Sequence, residues 1–217
     1  LSFLDLKIPN DRAVLQAALE RMIDSISHAL ETERAVASML LHDFGFSIHD
    51  VLEAMKNDAQ GTLTNSGLLL LNHALRADET KPRTIETCGI CYDGGANGYS
   101  MACGHEFCMD CWTSYLNDAF EAQHTALATT CPQHDCQERL TLLDVERIQP
   151  ELSVKWNERL FAKFIDKADF VSPCAGPDCT LAAVVDSKPM ASLAFPVTCT
   201  SCSASYCFQC RDEPHQP

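Results

Sequence analysis

The chain contains no hydrophobic run that could cross a bilayer. Its longest aliphatic stretch is Leu68 to Leu71, where a spanning helix requires roughly 20 apolar residues, so no membrane partner is expected. It also has no cluster of lysine and arginine. Sixteen basic residues face 30 acidic ones, giving a net charge of −14 and a pI near 4.8. A zinc protein that binds nucleic acid presents a basic face to phosphate, and this sequence has none to present. Proteins with basic or apolar patches are the expected partners. No charged segment followed by an apolar one opens the chain, so secretion is not expected. Finally, no cysteine stands apart from a spacing partner, which leaves no thiol for nucleophilic chemistry.

What the chain does have is cysteine. Thirteen in 217 residues is a high count, and it forces a choice between disulfides and metal. An odd number in paired ligand spacing favours reduced, zinc-bound thiolates, and with them the cytosol or nucleus. The first series reads Cys88-x2-Cys91, eleven residues, Cys103-x-His105-x2-Cys108-x2-Cys111, nineteen residues, Cys131-x4-Cys136. These eight ligands suffice for two closed tetrahedral zinc sites. Two intervening residues let a tight turn aim both thiolates at one point, and Gly104 permits the bend between Cys103 and His105 without a side-chain penalty. With four protein ligands per metal, no position is open to water or substrate. The zincs are therefore structural, and a metallohydrolase is excluded. The second series is Cys174-x4-Cys179, nineteen residues, Cys199-x2-Cys202-x4-Cys207-x2-Cys210-x4-His215. Its seven ligands are one short of two zincs, so an eighth is expected beyond Pro217, with this chain a piece of a longer one. His134, between Cys131 and Cys136, competes for a ligand position in the first series.

Ahead of the first series the pattern is helical. Asn10 or Asp11 is placed to cap a helix over residues 10–30, with Leu15, Leu19, Met22, Ile26 and Leu30 on one stripe. A second helix runs from Thr32 with Ala35, Val36, Met39 and Leu40 inward, and a break falls at Phe44-Gly45-Phe46. Ser47-x-x-Asp50 has the form of a capping box for a third helix carrying Val51, Leu52 and Met55. A short helix over Gly67 to Arg76 completes a bundle over residues 1–77. Residues 78–87 are polar and contain Pro82, the composition of a linker. Residues 141–172 carry linking helices, with Val154, Leu160, Phe161, Phe164, Ile165 and Ala168 as an apolar face. Strand-like Leu181 to Val185, a turn at Ser187-Lys188-Pro189 and an apolar stretch from Leu193 to Val197 lie within the second series.

The histidine is the fourth of eight ligands in the first series, which is the RING-finger order, and residues 88–140 resemble a RING. That resemblance implies an interleaved cross-brace. Cys88, Cys91, Cys108 and Cys111 would hold one zinc, and Cys103, His105, Cys131 and Cys136 the other. Such bracing locks a segment too short to bury an adequate core by itself. Three phrases are similar to those of the Ariadne-like branch of the RING-between-RING ubiquitin ligases. They are Cys103-Gly104-His105-Glu106-Phe107-Cys108-Met109-Asp110-Cys111-Trp112, Cys131-Pro132-Gln133-His134-Asp135-Cys136 and Cys174-Ala175-Gly176-Pro177-Asp178-Cys179. Residues 173–217 resemble that family's in-between-RING zinc domain. Leu40-Leu41-His42-Asp43-Phe44-Gly45-Phe46 is similar to the ubiquitin-associated-like (UBA-like) domain that precedes the RING there. The fold class expected is α-helix plus small zinc-stabilised modules: an N-terminal UBA-like bundle, a cross-brace RING, linking helices and an in-between-RING domain.

The resemblance implies a role. A first RING docks a ubiquitin-conjugating enzyme charged with ubiquitin, and the ubiquitin passes to a cysteine in a second RING before reaching a substrate lysine. This chain would be the recruiting part of such a transferase, without the catalytic second RING. Docking would fall to apolar side chains beside the zinc loops, here Ile90, Tyr92, Trp112 and Pro132, each of which could instead pack on its own loop. Gln137 follows Cys136 where ordinary RINGs often carry a cation that holds ubiquitin in a reactive pose, so recruitment without direct transfer is implied. Ubiquitin is also expected along the helix near 151–169, and a neddylated cullin ligase on the UBA-like domain. Phe44 and Phe46 either plug the bundle or, if one is exposed, bind a partner. The alternative is a non-catalytic zinc-binding adaptor for ubiquitin or a ubiquitin-like protein. On either reading zinc is the cofactor, and its removal is expected to unfold residues 88–215 while the N-terminal helices survive.

Overall fold

The computed structural model describes residues 12–68, 83–122, 126–168, 171–179, 181–184 and 195–215. They form two compact units. One comprises Ile23–Phe44 with Ile48–Leu160; the other comprises the described parts of Leu1–Met22, Gly45–Ser47 and Phe161–Pro217. The helix cap at Asn10 or Asp11, the short helix beyond Leu68, most of the 78–87 segment and the turn at Ser187-Lys188-Pro189 lie outside the described residues. Among the described residues no helix is long and apolar enough to cross a membrane.

Helix α1 (Arg12–Ala29) buries Leu15, Leu19, Ile23 and Ile26. Ile23 takes the inward place expected of Met22, which stands half-buried at the edge of the same stripe, and Leu30 lies past the helix end. Helix α2 (Arg34–Asp43) is buried over seven consecutive residues, Ala35 to Leu41, so it is a central helix rather than an amphipathic one. Ala35, Ala37 and Ser38 supply the small side chains that let neighbours approach on every side, and the Ser38 hydroxyl donates to the Ala35 carbonyl at 2.7 Å.

Helix α3 (Ile48–Asn65) buries Val51, Met55 and Leu63 but is interrupted at Asp58, whose backbone is extended (φ −155°, ψ 86°). The Asp58 carboxylate accepts the Gly61 N–H at 2.8 Å and so caps the last turns as a new helix. A Cβ on Gly61 would run into that carboxylate. Replacing Asp58 with Ala is expected to lower stability by about 1 kcal/mol, read as a shift in the urea midpoint.

The rest of this unit is built on a three-stranded antiparallel sheet, β1 (Arg83–Thr84), β2 (Asn97–Ser100) and β3 (Glu106–Cys108), which runs directly into α4 (Met109–Glu121). Trp112 on the first turns of α4 is fully buried. Edge-on aromatic contacts to Tyr99, Phe107 and Tyr115 surround it at 5.5 to 6.2 Å, and its Nε1–H donates to the Tyr99 carbonyl at 2.9 Å. Helix α5 (Leu142–Ile148) starts at Thr141, whose N–H and hydroxyl both donate to Asp144 Oδ2 at 2.7 Å. The Tyr99 hydroxyl donates to the other oxygen at 2.6 Å. Three donors thus satisfy a fully buried carboxylate, and burial followed by the Asp144 charge pushes the Tyr99 phenol well above its usual range.

In the second unit, the last turns of α6 (Leu152–Lys167) present Phe161 and Phe164. Phe46 meets Phe164 edge-on at 5.3 Å and Arg12 lies over the Phe161 ring at 5.2 Å. Gly45 and Phe46 both hold left-handed backbone, φ 59° and 61°, which turns Phe46 into the interior. Phe46 is therefore a core residue; Phe44 is half-buried. Beyond α6 the chain forms two small antiparallel pairs, β4 (Val171–Pro173) with β5 (Ala182–Val184), and β6 (Pro196–Thr198) with β7 (Ser205–Cys207). Ala183, Val197, Tyr206 and Phe208 make their core, with Phe195 stacked on Phe208 at 5.0 Å.

Candidate metal centres

Four clusters of cysteine and histidine emerge from this framework, and all thirteen cysteines belong to them. Cys88, Cys91, Cys108 and Cys111 form the first; Cys103, His105, Cys131 and Cys136 the second. The chain thus alternates between the two, as a cross-brace requires. Cys174, Cys179, Cys199 and Cys202 form a third, and Cys207, Cys210 and His215 a fourth. His134 joins none of them: its ring is 88% exposed and turned to Asp135 at 2.8 Å.

Each ligand is placed by a local device. The sequence C-x2-C folds the same way three times. The first Cys N–H donates to the carbonyl five residues on (Cys88 to Asp93, Cys199 to Ala204, Cys207 to Asp212), at 2.9 Å in each case. The N–H four residues on donates back to the Cys carbonyl, from Tyr92, Ser203 and Arg211, at 2.8 to 3.0 Å. Those same three residues hold left-handed φ of 65°, 60° and 64°. Non-glycine residues adopt that region only under constraint, and here the backbone ring and the pair of ligands supply it. Cys108 ends β3 and Cys111 lies in the first turn of α4, so the strand-to-helix corner delivers both. Gly104, at φ 78°, makes the bend between Cys103 and His105.

The spacing fits zinc. Sulfur atoms lie 3.8 Å apart in Cys91–Cys108 and Cys179–Cys199, and 3.5 Å in Cys174–Cys202. With Zn–S near 2.3 Å, a tetrahedron has an edge of about 3.8 Å, while a disulfide needs about 2.05 Å. His105 turns Nδ1 toward Cys131 Sγ at 3.6 Å, and His215 turns Nε2 toward Cys210 Sγ at 3.2 Å. The electrostatics agree. Burial opposes charge on Cys88 and Cys199, yet backbone N–H groups of Cys108, Cys91 and Ile90, and of Cys202 and Ser201, hold each thiol down to about 6. Cys103 is held down to about 5, chiefly by a hydrogen bond from Cys131. Their neighbours go the other way: burial and then adjacent sulfurs push Cys111 up, and the bond to Cys103 followed by burial pushes Cys131 up. Groups so opposed ionise together only around a divalent cation.

The four residues marked for docking separate by exposure. Ile90 is 43% and Tyr92 78% exposed, and Pro132 is half-buried. Trp112, with no exposed surface, cannot touch a partner directly; following Cys111 places it on the inward face of α4, against the sheet. A further group was not legible in the sequence. The Arg139 guanidinium donates to both Asp43 oxygens at 2.8 and 2.9 Å, 96 residues away in the chain, and no spacing pattern relates the two residues.

Residues 87–121 match the family described as zinc finger, C3HC4 type (RING finger), and residues 154–217 match the IBR domain, a half RING-finger domain. The chain is 27% identical over 211 residues to E3 ubiquitin-protein ligase dbl4 of Schizosaccharomyces pombe, covering 94% of this chain and 40% of that protein. It is 25% identical over 210 residues to E3 ubiquitin-protein ligase ARIH2 of Mus musculus, covering 93% and 40%. The chain is thus similar to the Ariadne-like ligases across a RING finger and an IBR domain. It spans about 40% of the length of those curated relatives. Among solved structures, Pediculus humanus Parkin bound to phospho-ubiquitin is similar over 60% of this chain and 45% of its own, with a TM-score of 0.40 and 19% identity. The RING match stops at residue 121, short of Cys131 and Cys136, which the fold brings to Cys103 and His105. The IBR match begins within α6 and encloses the entire second ligand series.

Proposed function

We propose that this chain is the recruiting portion of an E3 ubiquitin ligase, receiving a ubiquitin-charged conjugating enzyme on its RING for transfer to a cysteine outside these 217 residues. The observation that carries this reading is the pairing of an exposed apolar knuckle with a complete absence of spare thiols. Ile90 and Tyr92 flank Cys91 on the turn that the first cluster shapes, and the Ile90 N–H donates to Cys88 Sγ at 3.4 Å, so metal geometry fixes the position of the dock. Pro132, beside Cys131 in the second cluster, extends the same apolar face in the proposal. Exposed Asp93 next to Tyr92 favours a basic rim on the partner. Because every cysteine belongs to a metal cluster, no side chain here can carry the ubiquitin as a thioester. Ubiquitin along α6, where Val154 is exposed, and a neddylated cullin on the helices of residues 12–68 complete the proposed partners. The cytosol or nucleus is the proposed compartment, which thiolates kept reduced for metal would favour.

Ile90→Ala tests the dock. Its affinity for the charged enzyme, measured by calorimetry, is expected to fall roughly tenfold or more, with zinc content unchanged. Equal affinity of variant and wild type removes Ile90 from the interface. A wild-type chain that binds ubiquitin but no conjugating enzyme favours the adaptor instead.

A further inference from the structure

The loop that carries Pro132 is anchored at two ends. At its tip, Cys131 and Cys136 close on Cys103 and His105. At its base the chain doubles back as a short antiparallel ladder. The Cys131 N–H donates to the Glu138 carbonyl at 2.7 Å, the Leu140 N–H to the Thr129 carbonyl at 2.9 Å, and Arg139 stands opposite Thr130.

The outer edge of this ladder is occupied. The Arg139 N–H donates to the Gly67 carbonyl at 2.7 Å. Gly67 holds a left-handed φ of 66°, and a Cβ there would collide with the Gln137 carbonyl and crowd the Arg139 side chain, so the approach is one only glycine permits. The Arg139 guanidinium then continues past the edge. Its Nε donates to the Leu127 carbonyl at 2.8 Å, its Nη1 to the Ser66 carbonyl at 3.3 Å and to both oxygens of Asp43 at the end of α2, and its Nη2 lies 3.3 Å from His42 Nδ1. The two side chains of the salt bridge are 11% and 21% exposed, so solvent screens the pair far less than a surface contact. Burial opposes charge on Asp43, but His42 and Arg139 outweigh it and keep the carboxyl below its usual range. The four ligands and the bond from the Cys136 N–H to the Gln133 carbonyl hold the tip of the loop, while the Arg139 bonds hold its base.

We infer that Arg139 is a positioning residue for the conjugating-enzyme dock, tying helices α2 and α3 to the base of the loop that carries Pro132 through its salt bridge to Asp43 and its backbone bond to Gly67. The inference rests on the recruiting role proposed above and adds to it a route of regulation. A partner that binds the N-terminal helices and takes Asp43 from Arg139 releases the base of the second zinc loop, whereas one that leaves the pair intact does not.

The test uses Asp43→Asn and Arg139→Lys in the whole chain with zinc bound. Arg139→Lys keeps a cation near Asp43 but has one nitrogen in place of three, so the Nε bond to Leu127 and the Nη2 contact with His42 are lost. Three quantities are read: zinc stoichiometry, amide hydrogen exchange over 129–140, and calorimetric affinity for the charged enzyme. Both variants are expected to keep their zinc and their protection at 88–93. Both are expected to exchange faster over 129–140 and to bind the enzyme about tenfold more weakly; Asp43→Glu should recover part of the loss. Wild-type exchange over 129–140 in both variants overturns the tie itself. Faster exchange with unchanged affinity overturns the positioning role alone. A wild-type chain that binds no charged enzyme refutes the recruiting role and the positioning role together, which the exchange data distinguish from failure of the tie.

Discussion

Chelation of zinc is expected to unfold residues 88–140 and 171–215 and to loosen α2 and α3 with them. A structural zinc contributes on the order of 10 kcal/mol, against a total stability of roughly 5–15 kcal/mol for an ordinary domain. Losing even one site therefore exceeds what the remaining contacts hold. The buried side chains beside the first two clusters, among them Ile85, Tyr99, Met101, Phe107, Trp112, Leu116 and Phe120, come from the segments that the ligands tie together. Without the metal, burial and the charge on Cys88 push the Cys111 thiol up, and the bond to Cys103, burial and the Cys103 charge push the Cys131 thiol up, so the four ligands of a site do not ionise together. Spacing alone implied that the N-terminal helices would survive. The bonds from Arg139 to Asp43 and Gly67 change that expectation, because α2 and α3 share a compact unit with the RING residues and lose a partner when its second loop opens. Hydrogen exchange followed during titration with a chelator should show protection lost in 88–140 first and weakened over 34–68. Full zinc release with an unaltered spectrum would refute the metal-dependent fold.

Trp112→Ala is expected to cost about 3–5 kcal/mol, the range for emptying a large aromatic site in a packed core. The indole is surrounded by Tyr99, Phe107 and Tyr115 and donates its N–H to the Tyr99 carbonyl, so the substitution removes packing and also leaves a buried acceptor unpaired. Tyr99 in turn holds Asp144 at the start of α5, which extends the damage to the linking helix. The variant should show a large loss in chemical-denaturation stability at saturating zinc, and any fall in enzyme binding should follow the folded fraction. A stable, zinc-loaded Trp112→Ala chain whose only defect is weaker binding would return Trp112 to the interface. The contrast with Ile90→Ala separates a core residue from a contact residue, although both flank zinc loops.

The metal sites were legible to the level of individual ligands. Cysteine and histidine spacing is read along the chain, and each pair is closed by a local turn, so Cys88 with Cys91 or Cys207 with Cys210 needs no tertiary information. The pairing between pairs came only through resemblance, because the cross-brace joins segments that spacing does not relate. Periodicity found helices α1 to α3 and most of their inward faces. It missed that α2 is buried on all sides, since small residues such as Ala37 and Ser38 carry little hydropathy signal. It gave no sign of the break at Asp58, where one side-chain hydrogen bond outcompetes helix continuation.

The amino-acid sequence by itself determined that this chain folds around zinc and that each of its thirteen cysteines has a ligand partner at metal spacing. Those facts follow from local spacing and from counting ligands. The tertiary structure decided which flanking side chains face solvent, Ile90 and Tyr92 rather than Trp112, and that Arg139 reaches Asp43. Exposure and long-range ion pairing depend on where distant segments pack, and no periodicity along a single segment encodes that.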